Sequence, residues 1–149
     1  MIEKILIPID WSIHSEEVSI EILLDLLRLA EKLSPTTYFL HVVKSAALPK
    51  EDRPSEEEEL EKEAKEYFNK FENKVLEKVK SQVNIHYEFV IKKGNPAKEI
   101  CKFAEEEDVN LIAMASHGDT GIARWALGSV AYQVVHYSKK PVLLLPRRK

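Results

Sequence analysis

A chain of 149 residues with a formal net charge of −3 is long enough to bury one continuous core and has no positive excess to attract nucleic acid or an anionic membrane. The single cysteine, Cys101, excludes an internal disulfide, and no segment reaches the roughly 20 apolar residues that span a bilayer. We therefore expect a single domain over residues 1–149, located in the cytoplasm.

Apolar runs alternate with helical patterns through the first half of the chain. Ile5-Leu6-Ile7-Pro8-Ile9 predicts a strand buried on both faces, and apolar residues then recur at helical spacing up to Ser34-Pro35. Residues 38–43 predict a second strand. After a loop over residues 45–54, Ser55 and Glu58 form a capping box for the next helix. The buried positions predicted for that helix are Leu60, Ala64, Phe68 or Tyr67, Phe71, Val75 and Val79.

The second half of the chain continues this alternation. Ile85 to Ile91 alternates apolar and polar residues, as in an edge strand, and Asn95-Pro96 predicts the start of a helix that runs through Ala104. Leu111–Ala115 and Val142–Leu145 predict the last two strands, with a helix over residues 125–137 between them. Strands and helices in this alternation predict a three-layer, doubly wound α/β fold with a parallel sheet and right-handed crossovers.

Several familiar catalytic motifs are missing from the sequence. It contains no GxxxxGK[ST] loop, no GxGxxG after the first strand and no GxSxG elbow. The five histidines lack zinc-site spacing, and His41, inside an apolar strand, is expected to be packed rather than a ligand. Cys101 is expected to be a core thiol. The acidic residues 56–59 are expected to form the first turn of a solvated helix, where negative charge complements the helix dipole. The sequence thus predicts no catalytic and no metal-binding residue.

The clearest functional signal is Ser116-His117-Gly118, separated by nine residues from Gly128-Ser129. A loop of this kind after a strand presents backbone N–H groups, hydroxyls and a helix N-terminus to an anion. Asp10 and Val42 end the first two strands and would lie at the same edge of the sheet, and Arg124 would add positive charge. A crevice for a nucleotide forms there if the strand order reverses between the first and fourth strands.

For single residues of this loop, structural roles remain open as alternatives. Asp10 would then cap the first helix, and Gly128 would be a packing contact between helix and sheet. His117 is either a polar loop residue or an anion contact.

The chain resembles the universal stress protein family over nearly its whole length. The resemblance rests on the stretch from Lys4 to Asp10 with Ser12, on Leu40-His41-Val42, on Gly94-Asn95-Pro96 and on the block from Asn110 to Leu145. It implies an adenine nucleotide alpha hydrolase-like fold, with five parallel strands in the order 3-2-1-4-5 and two helices on each face. It also implies a homodimer that pairs through the last strand, Val142–Leu145.

The resemblance further implies a site for ATP, with Mg²⁺ as its accompanying ion. The ATP-binding branch of the family carries G-x2-G-x9-G-[ST], and this chain matches it except that Ala115 replaces the first glycine. The alanine is harmless where φ is negative and costs about 1 kcal/mol or more where φ is positive. Its methyl group is also a candidate obstacle to the ribose or the phosphates.

The residues that the resemblance implies in the site fall into three groups. Those on the adenine and ribose side are Pro8, Ile9, Asp10 and Val42, and those that flank the sugar are Gly94 and Met114. Those that follow the phosphates are Ala115, Ser116, His117, Gly118, Gly128, Ser129 and Val130, with Arg124 matching an arginine of the binding branch.

These features favour a stress-response or regulatory protein that binds ATP as a switch ligand and acts on an unidentified protein partner. The alternative is a nucleotide-independent protein-interaction module that keeps the fold and the dimer. A third hypothesis is a slow ATP hydrolase, although the sequence offers no convincing general base. Asp10 is predicted too near the adenine end, and His117 has no obvious orienting carboxylate.

Overall fold

Five parallel strands form one sheet in the computed structural model, which describes residues 2–9, 23–28, 31–32, 35–43, 56–81, 84–116 and 127–145. The strands are β1 Lys4–Pro8, β2 Thr36–Val43, β3 His86–Lys93, β4 Leu111–Ala115 and β5 Val142–Leu145. Their spatial order is β3-β2-β1-β4-β5, and all neighbouring pairs are parallel. The predicted order is therefore confirmed, with its reversal between β1 and β4.

Four helical stretches cover the two faces of this sheet within the described residues. They are α1 over residues 23–28, α2 Glu56–Phe71, α3 Pro96–Glu106 and α4 Ser129–Tyr137. One core cluster packs α1 and α2 around Phe39, and the other packs α3 and α4 around Ile112. The result is the predicted three-layer α/β architecture. Among the described helices, none is long and apolar enough to cross a membrane.

The buried face of α2 changes phase near its end. Beyond Phe71 the helix continues through a π-helical turn, Glu72–Leu76, into α-helical Glu77–Lys80. In an uninterrupted α-helix, Val75 would follow Phe71 on the buried face. The wider π turn adds one residue, and Leu76 is fully buried. Of the predicted alternatives, Tyr67 is buried and Phe68 half-buried. The side chains of Leu60 and Val75, and all of Ser55, lie outside the described residues.

The ends of α3 and α4 test two predicted helix starts. Asn95 caps α3 as predicted, because its side-chain oxygen accepts a hydrogen bond from the Lys98 N–H at 3.0 Å, and Pro96 is the first helical residue. The predicted start of α4 at Trp125 is wrong over residues 127–128, which are not helical. Gly128 has an extended ψ of 153° and caps a helix that begins at Ser129.

Reactive side chains away from the carboxyl edge of the sheet take packing roles. Cys101 is half-buried against the α3 and α4 core, and burial raises the pKa of its thiol. It is thus the packed thiol that the sequence predicts. In the part of the chain that the structure describes, no three His, Cys, Asp or Glu side chains are grouped to hold a metal ion.

Candidate functional site

The loop between β4 and α4 begins and ends at one point of the sheet edge. Ser116 follows β4, and its N–H donates to the Leu145 carbonyl oxygen at 2.9 Å. The Ser116 carbonyl oxygen accepts a hydrogen bond from the Gly128 N–H at 2.8 Å. Ser116 and Gly128, one residue from each half of the predicted motif, are therefore adjacent, although residues 117–126 lie outside the described part of the chain.

At the N-terminus of α4 the N-cap residue provides no side-chain hydrogen bond. Its N-cap is Gly128, which has no side chain to offer, whereas Asn95 caps α3. The first-turn N–H groups of a helix need acceptors, and they carry the positive end of the helix dipole. Gly128 thus leaves the start of α4 suited to an anion, whereas the start of α3 is already capped.

Ala115, which replaces the first motif glycine, is the last residue of β4 and pairs in register with Leu145. Among the described residues the only non-glycine with a positive φ is Asp108, so φ at Ala115 is negative. The backbone strain that a left-handed alanine would cause is therefore absent. Side chains alternate along a strand, which places Ala115 on the sheet face of Ala113, towards α1 and α2. Helix α4 packs on the opposite face.

Two neighbouring contacts hold the backbone at the end of β1. Ile9 follows Pro8, and its N–H donates to the Leu40 carbonyl oxygen at 2.9 Å. The Ile9 carbonyl oxygen lies 3.3 Å from Nδ1 of His41. The His41 ring stacks on Tyr67 of α2, with ring centroids 4.0 Å apart and planes inclined by 10°.

The prediction that His41 is packed is confirmed, but its contact with Ile9 is one that the sequence reasoning missed. The available signal was a lone imidazole in an apolar strand. Its position follows directly after Leu40, the residue that pairs with the last residue of β1, Pro8.

Three more predicted residues pack on the α3 and α4 side of the sheet. Val42 and Val130 are half-buried there against the same core cluster, and Met114 is only 7% exposed. Asp10, His117, Gly118 and Arg124 lie outside the described residues.

Gly94 stands apart from these residues. It follows β3, and its N–H donates to the Val43 carbonyl oxygen at 2.9 Å. Three strand spacings, about 14 Å, separate β3 from β4, which carries Met114, and this gap is wider than one sugar ring. Glycine is required here because φ is +141°, and a Cβ would lie 3.1 Å from Oε1 of Glu99.

The described groups at this edge can bind a ligand through the backbone. They are the N–H groups at the start of α4, the ends of β1 and β2, and the hydroxyl-bearing residues Ser116 and Ser129. The edge lies where the strand order reverses, which is the place where doubly wound sheets bind ligands. This set of groups is suited to an anion and a planar polar ring.

Comparison with known proteins identifies the class of protein that carries this fold and edge. A family model described as the universal stress protein family matches residues 1–146. The chain belongs to the universal stress protein family. It is similar to universal stress protein MJ0577 of Methanocaldococcus jannaschii, with 34% identity in an alignment that covers 99% of this chain and 97% of the relative.

Solved structures agree with this assignment. The structure of hypothetical protein MJ0577 is 33% identical, has a TM-score of 0.68, and matches 100% of this chain and 99% of its own. That of hypothetical protein PH0823 is 28% identical, with a TM-score of 0.73 and coverage of 100% and 98%. The neighbours share the adenine nucleotide alpha hydrolase-like fold, which confirms the predicted fold class.

Two more distant neighbours were solved with nucleotides. A universal stress protein in complex with cAMP is 15% identical, with a TM-score of 0.67 and coverage of 97% of both chains. The universal stress protein from Archaeoglobus fulgidus in complex with dAMP is 22% identical, with a TM-score of 0.63 and coverage of 97% and 98%. At these identities the likeness to this chain is one of fold.

Proposed function

We propose that this protein is a cytoplasmic stress-response or regulatory protein that binds ATP, with its Mg²⁺, between the carboxyl ends of β1 and β4. The hydrogen bond from the Gly128 N–H to the Ser116 carbonyl oxygen carries the proposal, because it brings the start of α4 to the end of β4. Relatives of the same fold that hold cAMP and dAMP support an adenine nucleotide as the ligand.

In this proposal the nucleotide lies across the sheet edge. Its phosphates accept hydrogen bonds from the N–H groups of Ser129 and Val130 at the start of α4, where the N-cap Gly128 has no side chain. Its adenine lies beside Ile9 and Val42, at the ends of β1 and β2. The negative φ of Ala115 supports binding, since alanine then disturbs no backbone geometry. Bound nucleotide would favour one conformation of the loop after Ser116, which a partner protein then recognises.

Thermal unfolding with and without Mg-ATP tests the proposal, with Mg-GTP as the control. Ligand at about 100 times its Kd adds about 2.7 kcal/mol, or roughly 5–10 °C for a domain of this size. We expect this shift with Mg-ATP and no shift with Mg-GTP. No shift at millimolar ATP would refute nucleotide binding.

A matched pair of variants tests the place of binding. Gly128→Asp supplies α4 with a carboxylate cap that accepts from a first-turn N–H group, Val130 or Ala131, and whose negative charge repels phosphate. Its own stability should stay equal or rise by a few tenths of a kcal/mol, and the ATP shift should disappear. Asn95→Asp makes the same type of cap at α3 and should keep the shift. An unchanged shift in Gly128→Asp would exclude the start of α4 as the phosphate site.

One observation favours the second hypothesis, a protein-interaction module that needs no nucleotide. The large hydrophobic side chains exposed among the described residues are Leu127, Tyr132, Val135 and Tyr137, and all lie on or just before α4. Tyr132 is 61% exposed and Tyr137 70% exposed, and large exposed apolar side chains of this kind occur at binding surfaces. If the ATP shift is absent, this surface becomes the leading functional candidate. Phosphate release over many turnovers would instead favour the third hypothesis, a slow ATP hydrolase.

We further propose a homodimer in which β5 pairs with β5 of a second copy. The edge strand β3 has exposed charged and polar positions at Glu88 and His86, which discourage pairing, whereas β5 is Val-Leu-Leu-Leu. In β5 the carbonyl groups of Pro141 and Leu145 bond to β4, so the alternate residues Val142 and Leu144 direct their backbone groups outwards.

Proline at Leu144 removes an outward N–H while leaving the bonds to β4 in place. We therefore expect Leu144→Pro to sediment as a monomer where the wild type sediments as a dimer. Leu144→Ala is the control, because it removes packing but keeps the N–H, and it should remain dimeric. A dimeric Leu144→Pro variant would contradict pairing through this edge.

A further inference from the structure

The β1–β2 ladder ends in an unusual way at the candidate site. Its last bond runs from the Ile9 N–H to the Leu40 carbonyl oxygen, and the last residue pair is Pro8 with Leu40. If the parallel ladder continued, the Ile9 carbonyl oxygen would next accept the N–H of Val42. Instead β1 ends at Pro8, and this oxygen lies 3.3 Å from Nδ1 of His41. Within the described residues, the ladder with β1 does not reach the Val42 amide.

The contact between His41 and Ile9 indicates which ring nitrogen carries a proton. A carbonyl oxygen can only accept, so the two atoms form a hydrogen bond when Nδ1 carries the proton. The stack on Tyr67 restricts the plane of the imidazole, and Tyr67 itself is 8% exposed on α2. The β2 backbone and α2 together therefore aim Nδ1 at the end of β1.

We propose that His41 is a positioning residue of the ligand site. By holding the Ile9 carbonyl oxygen it keeps the Val42 N–H out of the sheet ladder and available to an acceptor nitrogen of a planar heterocycle. The choice of adenine as that heterocycle rests on the proposed function. The effect on the backbone does not, and it can be measured without any nucleotide.

Two substitutions separate the roles of the ring and of the donor. His41→Phe keeps a ring to stack on Tyr67 but has no donor for Ile9. His41→Asn loses the ring but places an amide N–H close to the position of Nδ1. If His41 served only to pack α2 on the sheet, Val42 hydrogen exchange and ATP affinity in the two variants would change only in proportion to the loss of stability.

The proposal predicts that Val42 hydrogen exchange and ATP affinity depend on whether residue 41 has an N–H donor for the Ile9 carbonyl oxygen. In His41→Phe without nucleotide, the Val42 amide joins the ladder and its hydrogen exchange slows about tenfold, and ATP binds about fivefold to tenfold more weakly by calorimetry, as expected for one hydrogen bond. In His41→Asn both properties stay near wild type while the melting temperature falls. In the wild type, the ring ¹⁵N shifts should place a proton on Nδ1.

A wild-type ring with its single proton on Nε2, or unchanged Val42 exchange in His41→Phe, would overturn the proposal. If the wild type binds no ATP but Val42 exchange responds as expected, the nucleotide assignment fails and the backbone role of His41 stands. If ATP binds and the His41→Phe affinity is unchanged, the nucleotide assignment stands and the positioning role fails.

Discussion

Replacing Ala115 with glycine should destabilise the protein, and the sign of this change tests the interpretation of the altered motif. Ala115 is half-buried at the end of β4 with a negative φ. Glycine in a strand costs about 0.5–1 kcal/mol in backbone entropy, and the lost half-buried methyl adds about 0.4 kcal/mol. The sum, roughly 1 kcal/mol or slightly more, lowers Tm by about 2–5 °C. A strained alanine at positive φ would give the opposite result, a gain of about 1–2 kcal/mol.

Urea unfolding of the wild type and Ala115→Gly, each with and without Mg-ATP, measures both quantities. Ala113→Gly is the matched control in the same strand and on the same face. Its methyl is fully buried, so its loss should be larger, about 1.5–2 kcal/mol. We expect the ATP-induced stabilisation of Ala115→Gly to equal that of the wild type. A more stable glycine variant, or ATP affinity more than about tenfold higher, would refute the reasoning and identify the methyl as an obstacle.

Three further substitutions test contacts elsewhere in the fold. Gly94→Ala should cost about 1–2 kcal/mol in urea unfolding, because φ is +141° and the new Cβ meets Glu99. In a Glu99→Ala background, only the part of this loss that is due to the contact with Glu99 should disappear. If the whole loss disappeared, backbone strain at Gly94 would be contradicted. Asn95→Ala should cost about 1 kcal/mol by leaving the Lys98 N–H without its cap, and a loss under about 0.3 kcal/mol would contradict the cap. The hydrogen bond from Lys140 lowers the pKa of Asp108, so the pair stabilises the protein above the unfolded pKa and loses this effect as pH falls through the lowered value. Tm measured from about pH 5 to about pH 2 should therefore fall less steeply in Asp108→Asn than in the wild type, and identical slopes would show that the pair adds nothing.

The strands could be predicted closely because burial on both faces leaves a plain signal. The predicted bounds of β4 and β5 are those of the structure, since continuous apolar runs there end at polar or proline residues. The alternation of apolar and polar residues around Tyr87 and Phe89 predicts an edge strand that is solvated on one face, and β3 is an edge strand of the sheet. The spatial order of the strands came from the family resemblance, because apolar patterning does not distinguish one neighbour from another.

The helices show where periodicity alone is insufficient. A π turn needs no distinctive residue, so the helical spacing through Phe71 does not predict the burial of Leu76, which is complete. The apolar residues Trp125 and Leu127 likewise favour a helix before Gly128, whose extended backbone begins the helix later. In both cases the decisive quantity is a local backbone geometry that side-chain pattern does not encode.

The same limit explains why the sequence left the meaning of Ala115 open. The φ of Ala115 depends on the pairing of β4 with β5, which extends to Ala115 and Leu145. One further hydrogen bond, from the Ser116 N–H to the Leu145 carbonyl oxygen, continues this pairing beyond β4. Ser116 is thus bonded to β5 through its N–H and to Gly128 at the start of α4 through its carbonyl oxygen. Any displacement of β5 therefore acts through Ser116 on the start of α4, where we propose that the phosphates bind. For this reason the ATP titration of Leu144→Pro should accompany its sedimentation. A monomer with unchanged affinity would show that β5 holds Ser116 without a second copy, and a monomer with weakened affinity would show that pairing at the edge supports the site.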